Sequence, residues 1–138
     1  MNYNLINNKN IYLLKEFIQN EKSENFRYYQ NRNINVIKNH ILTLILTNEM
    51  KNIIGYGHLD SEENKIWLGI CVCENYRGKG YGKKIMNYIL GFAKDNNLEK
   101  IQLTVDKNNL VAKKLYEKNN FIIEKENEKF FKMVKYMK

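Results

Sequence analysis

Cys71-Val72-Cys73-Glu74-Asn75-Tyr76-Arg77-Gly78-Lys79-Gly80-Tyr81-Gly82-Lys83-Lys84 lies where the hydrophobic period of the chain changes. Residues 66–73, leading into it, are apolar and β-branched as in a strand. Beyond it, Ile85, Met86, Ile89, Leu90 and Ala93 fall on one face of a helix over residues 80–95. The stretch therefore connects a strand to a helix. Three glycines within residues 78–82 let the backbone turn tightly and bring its N–H groups close to a ligand. The free N–H groups that open the helix, with its positive dipole end, favour an anion, and Arg77, Lys79, Lys83 and Lys84 add charge. A phosphate-bearing ligand is the expectation. The known phosphate fingerprints fail on spacing. A P-loop needs one more residue between Gly78 and Gly82 and a Ser or Thr after Lys83, and in a dinucleotide fingerprint the third glycine would come one residue later.

Working outward, residues 53–60 precede this strand and residues 41–47 precede those, separated by polar turns. Residues 41–47 are apolar on both faces, as in a central strand. Residues 8–19 carry apolar positions at helical spacing after an Asn cap, and residues 20–40 read as a loop with a short helix. Downstream, Ile101, Leu103 and Val105 alternate as a strand. Residues 109–118 form a second helix with Leu110, Val111 and Leu115 expected inward. Residues 121–123 and 130–134 form a hairpin around Asn127. The order gives an α+β domain with a mixed sheet. No repeat, linker or low-complexity block divides it, so residues 1–138 are read as a single domain.

Composition narrows the class. With 43% hydrophobic and 28% charged residues the chain is an ordinary globular one, and no apolar run approaches the ~20 residues of a membrane span. The first residues lack the apolar core of a signal peptide. Cys71 and Cys73, expected on opposite faces of their strand, offer neither a disulfide scaffold nor a metal ligand set. A cytoplasmic protein without metal is expected. Residues 1–69 carry net charge +1 and residues 70–138 net +7, so the second half is the side to meet an anion. Proline is absent and Asn and Lys abound, which fits an AT-rich genome, so a single Asn or Lys is informative only by position.

Two blocks resemble one family. Arg77-x-x-Gly80-x-Gly82 matches the R/Q-x-x-G-x-G/A acyl-CoA-binding motif of the GNAT N-acetyltransferase superfamily. Asn109-x-x-Ala112-x-x-Leu115-Tyr116-Glu117-Lys118-Asn119-Asn120-Phe121 is similar to its N-x-x-A-x-x-L-Y-x-x-x-G-F segment. The resemblance implies a mostly antiparallel sheet of six to seven strands flanked by about four helices. It also implies a splay between the strand before the Gly-rich motif and the strand after it. By the same resemblance acetyl-CoA is the co-substrate. Its pyrophosphate would rest on the backbone of Arg77, Gly78, Lys79, Gly80, Tyr81 and Gly82 beside Lys83. Its pantetheine would run along Cys71, Val72 and Cys73 and meet Asn109, and Tyr116 would protonate the departing thiolate.

The sequence departs from the pattern at three places. Glu74 replaces a frequent Pro, and Asn120 replaces a Gly whose left-handed backbone Asn tolerates. Ile66 and Leu68 occupy the two positions where many family members carry a Glu or His base. Tyr56, His58 and Asp60 alternate onto one face of the neighbouring strand, which makes His58 the first candidate base, ahead of Glu74 and His40. Residues 24–32, with three aromatics and two arginines, could line an acceptor pocket or simply cover the sheet. The leading expectation is transfer of acetyl to a primary amine of a small molecule by direct attack, in a monomer or homodimer. A protein N-terminus or lysine as acceptor, an acyl-CoA sensor without catalysis, and a basic nucleic-acid-binding module stand as alternatives. Against the last, the aromatics do not interleave with the Lys/Arg cluster.

Overall fold

The computed structural model describes residues 1–21 and 23–138. Seven strands form one sheet in the order β1-β2-β3-β4-β5-β7-β6. The strands are β1 (Asn2–Leu5), β2 (His40–Thr47), β3 (Ile53–Glu62), β4 (Lys65–Val72), β5 (Lys100–Asp106), β6 (Ile122–Glu126) and β7 (Phe130–Tyr136). Among the described residues there are also three α-helices, α1 (Ile11–Asn20), α2 (Tyr81–Asp95) and α3 (Leu110–Lys118), and two 3-10 segments, Ile34–Asn39 and Glu74–Tyr76. The expected α+β architecture with a mixed, mostly antiparallel sheet is present.

The central strands are the β-branched and apolar runs. β2 is buried on both faces from Leu42 to Thr47, because α2 lies on one side of the sheet and α1 on the other. On the α2 side, Ile85, Met86, Ile89 and Ala93 pack against Leu44, Leu46, Leu59, Leu68, Leu103 and Met133. On the α1 side, Leu13, Leu14 and Phe17 meet Ile45, Tyr56 and Cys71. Gly57 on β3 permits this close seating of α2. A Cβ there would stand 2.8 Å from both Ile85 Cγ2 and Ile89 Cδ1.

All neighbouring strands pair antiparallel except β4 and β5, which run parallel and share the single pair Trp67↔Gln102. Beyond that pair, towards the C-terminal ends, the two strands part. The sheet is open where the resemblance implies a splay.

Several local expectations need correction. β1 lies in residues to which the sequence pattern assigned no element, where it pairs with β2 in the register Asn2↔Thr47 to Leu5↔Leu44. Leu110 is 63% and Val111 83% exposed, not inward. Ala112, Leu115 and Tyr116 face the core instead. At about 100° per residue, that stripe lies opposite Leu110 and leaves Val111 on its flank. Cys71 and Cys73 share a face and both pack towards α1, since residues two apart on a strand point the same way. Asn120 does adopt the left-handed backbone, with φ 69°.

Candidate active site

The strand-to-helix connection forms an open cradle of amides. Gly78 and Gly80 have φ of 75° and 85°, a region that costs other residues strain, and nothing lies within 4 Å of where their Cβ atoms would be. Gly80 is the N-cap of α2 and supplies no side-chain cap. The first helical bond runs from Lys84 N to Gly80 O at 3.3 Å. Among the described residues, the backbone N–H groups of residues 78–83 make no hydrogen bond within the protein. Lys79, Lys83 and Lys84 are exposed around them. Such free amides at a helix start, ringed by cations, form an anion site. Arg77 serves the loop differently. Its Nε donates to Val72 O at 2.9 Å and its guanidinium stands 3.7 Å from Glu21, which fixes the turn to the end of β4.

The gap between β4 and β5 runs from this cradle towards the Trp67↔Gln102 pair. Tyr116 comes into the region from α3. It is 6% exposed, its ring is packed edge-on against Phe121 at 5.8 Å, and its hydroxyl makes no hydrogen bond among the described residues. Burial, and then proximity to Cys71, push the phenol pKa upwards, so Tyr116 stays protonated as a donor. The Cys71 thiol is likewise pushed up, first by burial. A thiolate released at the same depth would have a similarly raised proton affinity, which keeps the two groups matched. Asn109 caps α3, its Oδ1 accepting from Ala112 N at 3.3 Å. Its amide NH2 is left for another acceptor.

On the α1 side of β4 and β5 lies a cleft of about 410 Å³, roofed by residues 25–28 and Arg32 and floored by His58, Asp60, Leu68, Gly69 and Thr104. Arg27 holds the roof down, donating from both terminal nitrogens to the two carboxylate oxygens of Asp106 at 2.8 Å each. This hydrogen bond to Arg27 keeps Asp106 below the usual carboxylate range. Under the roof, Tyr28 donates to Asp60 Oδ2 at 2.7 Å and its hydroxyl lies 2.8 Å from His40 Nε2. His40 Nδ1 is 2.8 Å from Thr43 Oγ1. His58 Nδ1 is 2.6 Å from the Tyr56 hydroxyl, which in turn is 2.6 Å from that of Tyr29.

His58 is fully buried, its imidazole edge laid against Gly69. Burial, then His40 and Arg32, push its pKa well below the ordinary imidazole range, so the ring is neutral, and among the described residues Nε2 has no hydrogen-bond partner. It stands opposite Gly69 on β4, while Tyr116 stands near Cys71, two residues further along the same strand. The structure thus brings both candidates to one stretch of β4. The other two candidate bases are less well placed, Glu74 by position and His40, beside His58, by its hydrogen bonds. Glu74 lines a separate 620 Å³ cleft with Glu21, Cys73 and Arg77, and His40 has both ring nitrogens engaged. Sequence reasoning placed Asp60 on the His58 face but assigned it nothing. The Tyr28 hydroxyl and the Arg27–Asp106 pair left no local sign, because their partners lie 32 and 79 residues away. Among the described residues, no group of three or more His, Cys, Asp or Glu could hold a metal ion, and no helix is long and apolar enough to cross a membrane.

A strand, an amide cradle at a helix start and a parted parallel pair together define a site for an elongated, phosphate-bearing ligand lying in the opening of the sheet. The chain belongs to the acetyltransferase (GNAT) family, whose pattern matches residues 9–121. It is 39% identical over 69 residues to the uncharacterized N-acetyltransferase YobR of Bacillus subtilis (strain 168), a match spanning 50% of this chain and 25% of that protein. Among solved structures, the GNAT-family acetyltransferase of Streptococcus pneumoniae superposes with a TM-score of 0.83 at 18% identity, covering 99% of each chain. The protein yncA of Salmonella typhimurium, solved with its cofactor acetyl-CoA, gives 0.80 at 10% identity over 100% of this chain and 94% of that one.

Proposed function

We propose that this chain is an acetyl-CoA-dependent N-acetyltransferase acting by direct attack of a small-molecule primary amine. The observation that carries the reading is the β4–β5 gap, open after one pair, with the amide cradle at one end and a roofed cleft beside it. The residues present fit acetyl-CoA. The N–H groups of residues 78–83 are unpaired in the right backbone conformation, and Gly78 and Gly80 leave open space above them. In that reading the amides of Gly78, Lys79, Gly80, Tyr81 and Gly82, with Lys83, hold the pyrophosphate, whereas the Arg77 N–H, expected among them, already donates to Glu74 O at 3.3 Å. Cys71, Val72 and Cys73 line the path of the pantetheine arm, and the Asn109 amide donates to it. Acetyl-CoA supplies an activated acyl group whose leaving group is a thiolate.

The chain's own residues manage two protons. His58 takes one from the amine through its free ring nitrogen, and its burial makes it a weak acceptor that works on an already polarised N–H. Tyr116 gives one to the thiolate from its hydroxyl. A roof strapped down by Arg27 and Asp106 suits a small amine better than a peptide, which would need an open groove. Free thiols at Cys71 and Cys73 fit a reducing compartment such as the cytoplasm.

Calorimetric titration with acetyl-CoA, with ATP and a short DNA duplex as polyanion controls, tests the reading. Micromolar one-to-one binding of acetyl-CoA alone is expected, and Tyr116→Phe should retain that binding while acetyl transfer to amines falls at least about tenfold. Equal weak binding of all three ligands would reduce the cradle to a generic cationic surface. Undiminished turnover by Tyr116→Phe would remove Tyr116 from the mechanism.

A further inference from the structure

Asp60 is 3% exposed, and its two carboxylate oxygens are treated unequally. Oδ2 accepts from the Tyr28 hydroxyl, whereas Oδ1 is buried and has no hydrogen-bond partner among the described residues. A buried carboxylate oxygen left unpaired is costly, and native structures rarely keep one without a ligand or ion to complete it. Nearby cations do not complete it. Arg27 is taken by Asp106, and the Arg32 guanidinium stacks on the Tyr28 ring 4.3 Å from its centroid and donates to Tyr28 O at 3.0 Å. The cleft therefore sets three carboxylates, Asp60, Glu62 and Asp106, against two guanidiniums, both already engaged.

Resting on the acetyltransferase reading, we propose that Asp60 Oδ1 anchors an ammonium group of the acceptor, so that the acceptor is a dicationic amine. One nitrogen stays charged on Asp60 and the other, neutral, attacks the thioester. The register supports the division. Asp60 is paired with Trp67, and Trp67 with Gln102 at the last rung before β4 and β5 part. The anchor thus sits one strand away from the apex of the gap, roughly 5 Å in strand spacing, within reach of a short diamine. A carboxylate is a stronger acceptor for a charged donor than for a hydroxyl. The cleft should accordingly prefer a diamine over an amino alcohol of the same length.

The test is binding, read without turnover. Calorimetry would compare 1,3-diaminopropane, 3-aminopropan-1-ol and β-alanine on the full chain and on Asp60→Asn, whose amide oxygen can still accept from Tyr28. The diamine should bind at least tenfold more tightly than the other two, and Asp60→Asn should abolish that preference while acetyl-CoA affinity and the unfolding midpoint hold. Equal affinity for diamine and amino alcohol, or a preference that survives in Asp60→Asn, would overturn the proposal. Adding acetyl-CoA and following thiol release separates the two readings. Asp60-dependent diamine binding without thiol release supports the anchor and removes the acetyl transfer.

Discussion

Two histidines side by side under the cleft roof, with ring centroids 4.7 Å apart and planes inclined by 35°, tie the stability of the molecule to pH. Burial pushes His40 down from about 6.5 to about 4, against the opposing pull of Asp60, with Arg32 pushing the same way as burial. His58 is shifted in the same direction more strongly. In the unfolded chain both rings take a proton near pH 6.5. Their contribution to stability is therefore whole above pH 6.5 and is lost as pH falls through that value towards 4. Urea midpoints should hold between pH 8 and 7 and fall between pH 6.5 and 4. His40→Gln should flatten part of that fall, and a midpoint insensitive to pH over this window would refute the burial argument. At this scale the anion loop was legible because its glycines and cations are adjacent in sequence. The unpaired oxygen of Asp60 was not, because it depends on Tyr28, Arg27 and Arg32 reaching other partners across the fold.

At the scale of elements, strands and helices with strong periodicity were read closely, and the misses have physical causes. β1 has four residues and is exposed at three of them, so the alternation of Tyr3 and Leu5 with Asn2 and Asn4 is too short to mark a strand, which exists because β2 offers it an edge. The inward face of α3 was misjudged because Leu110 and Val111 are apolar by composition, whereas the packing stripe is set by Tyr116 and its neighbours one turn back. The seating of α2 on β3 gives a sharp prediction. Gly57→Val would drive its side chain into Ile85 and Ile89 and should destabilise the fold by about 1–3 kcal/mol. Gly91→Ala, on the exposed side of α2 with nothing within 4 Å, should leave the fold at least as stable. Thermal unfolding of the two variants makes the comparison, and a Gly57→Val midpoint equal to that of the parent would show that α2 can lift without cost.

At the scale of the whole molecule, the charge division read from the sequence has a place in the fold. The basic second half carries the amide cradle and its lysines, and the near-neutral first half supplies the roof and, apart from Thr104, the floor of the 410 Å³ cleft. The splay itself could not be derived from hydrophobic pattern. It is a pairing that stops, and strands that lose their partner keep the same apolar residues.

That interrupted pairing makes the sheet two blankets sewn by one stitch. Strands β1 to β4 hang together on one side, β5 to β7 on the other, and the hydrogen-bonded ladder between them is the single rung at Trp67 and Gln102. A ligand lying in the opening would act as thread, joining the two groups of strands where their ladder is missing. Amide hydrogen exchange should accordingly slow on acetyl-CoA binding along residues 68–72 and 103–106 as well as at the cradle, with little change in β2. Protection confined to the cradle would mean that the two halves are already rigidly joined by α2 and its core. With the thread in place, saturation at 100 times Kd would add about 2.7 kcal/mol to the resistance against unfolding, so a chain that has found its co-substrate is also a chain harder to pull apart.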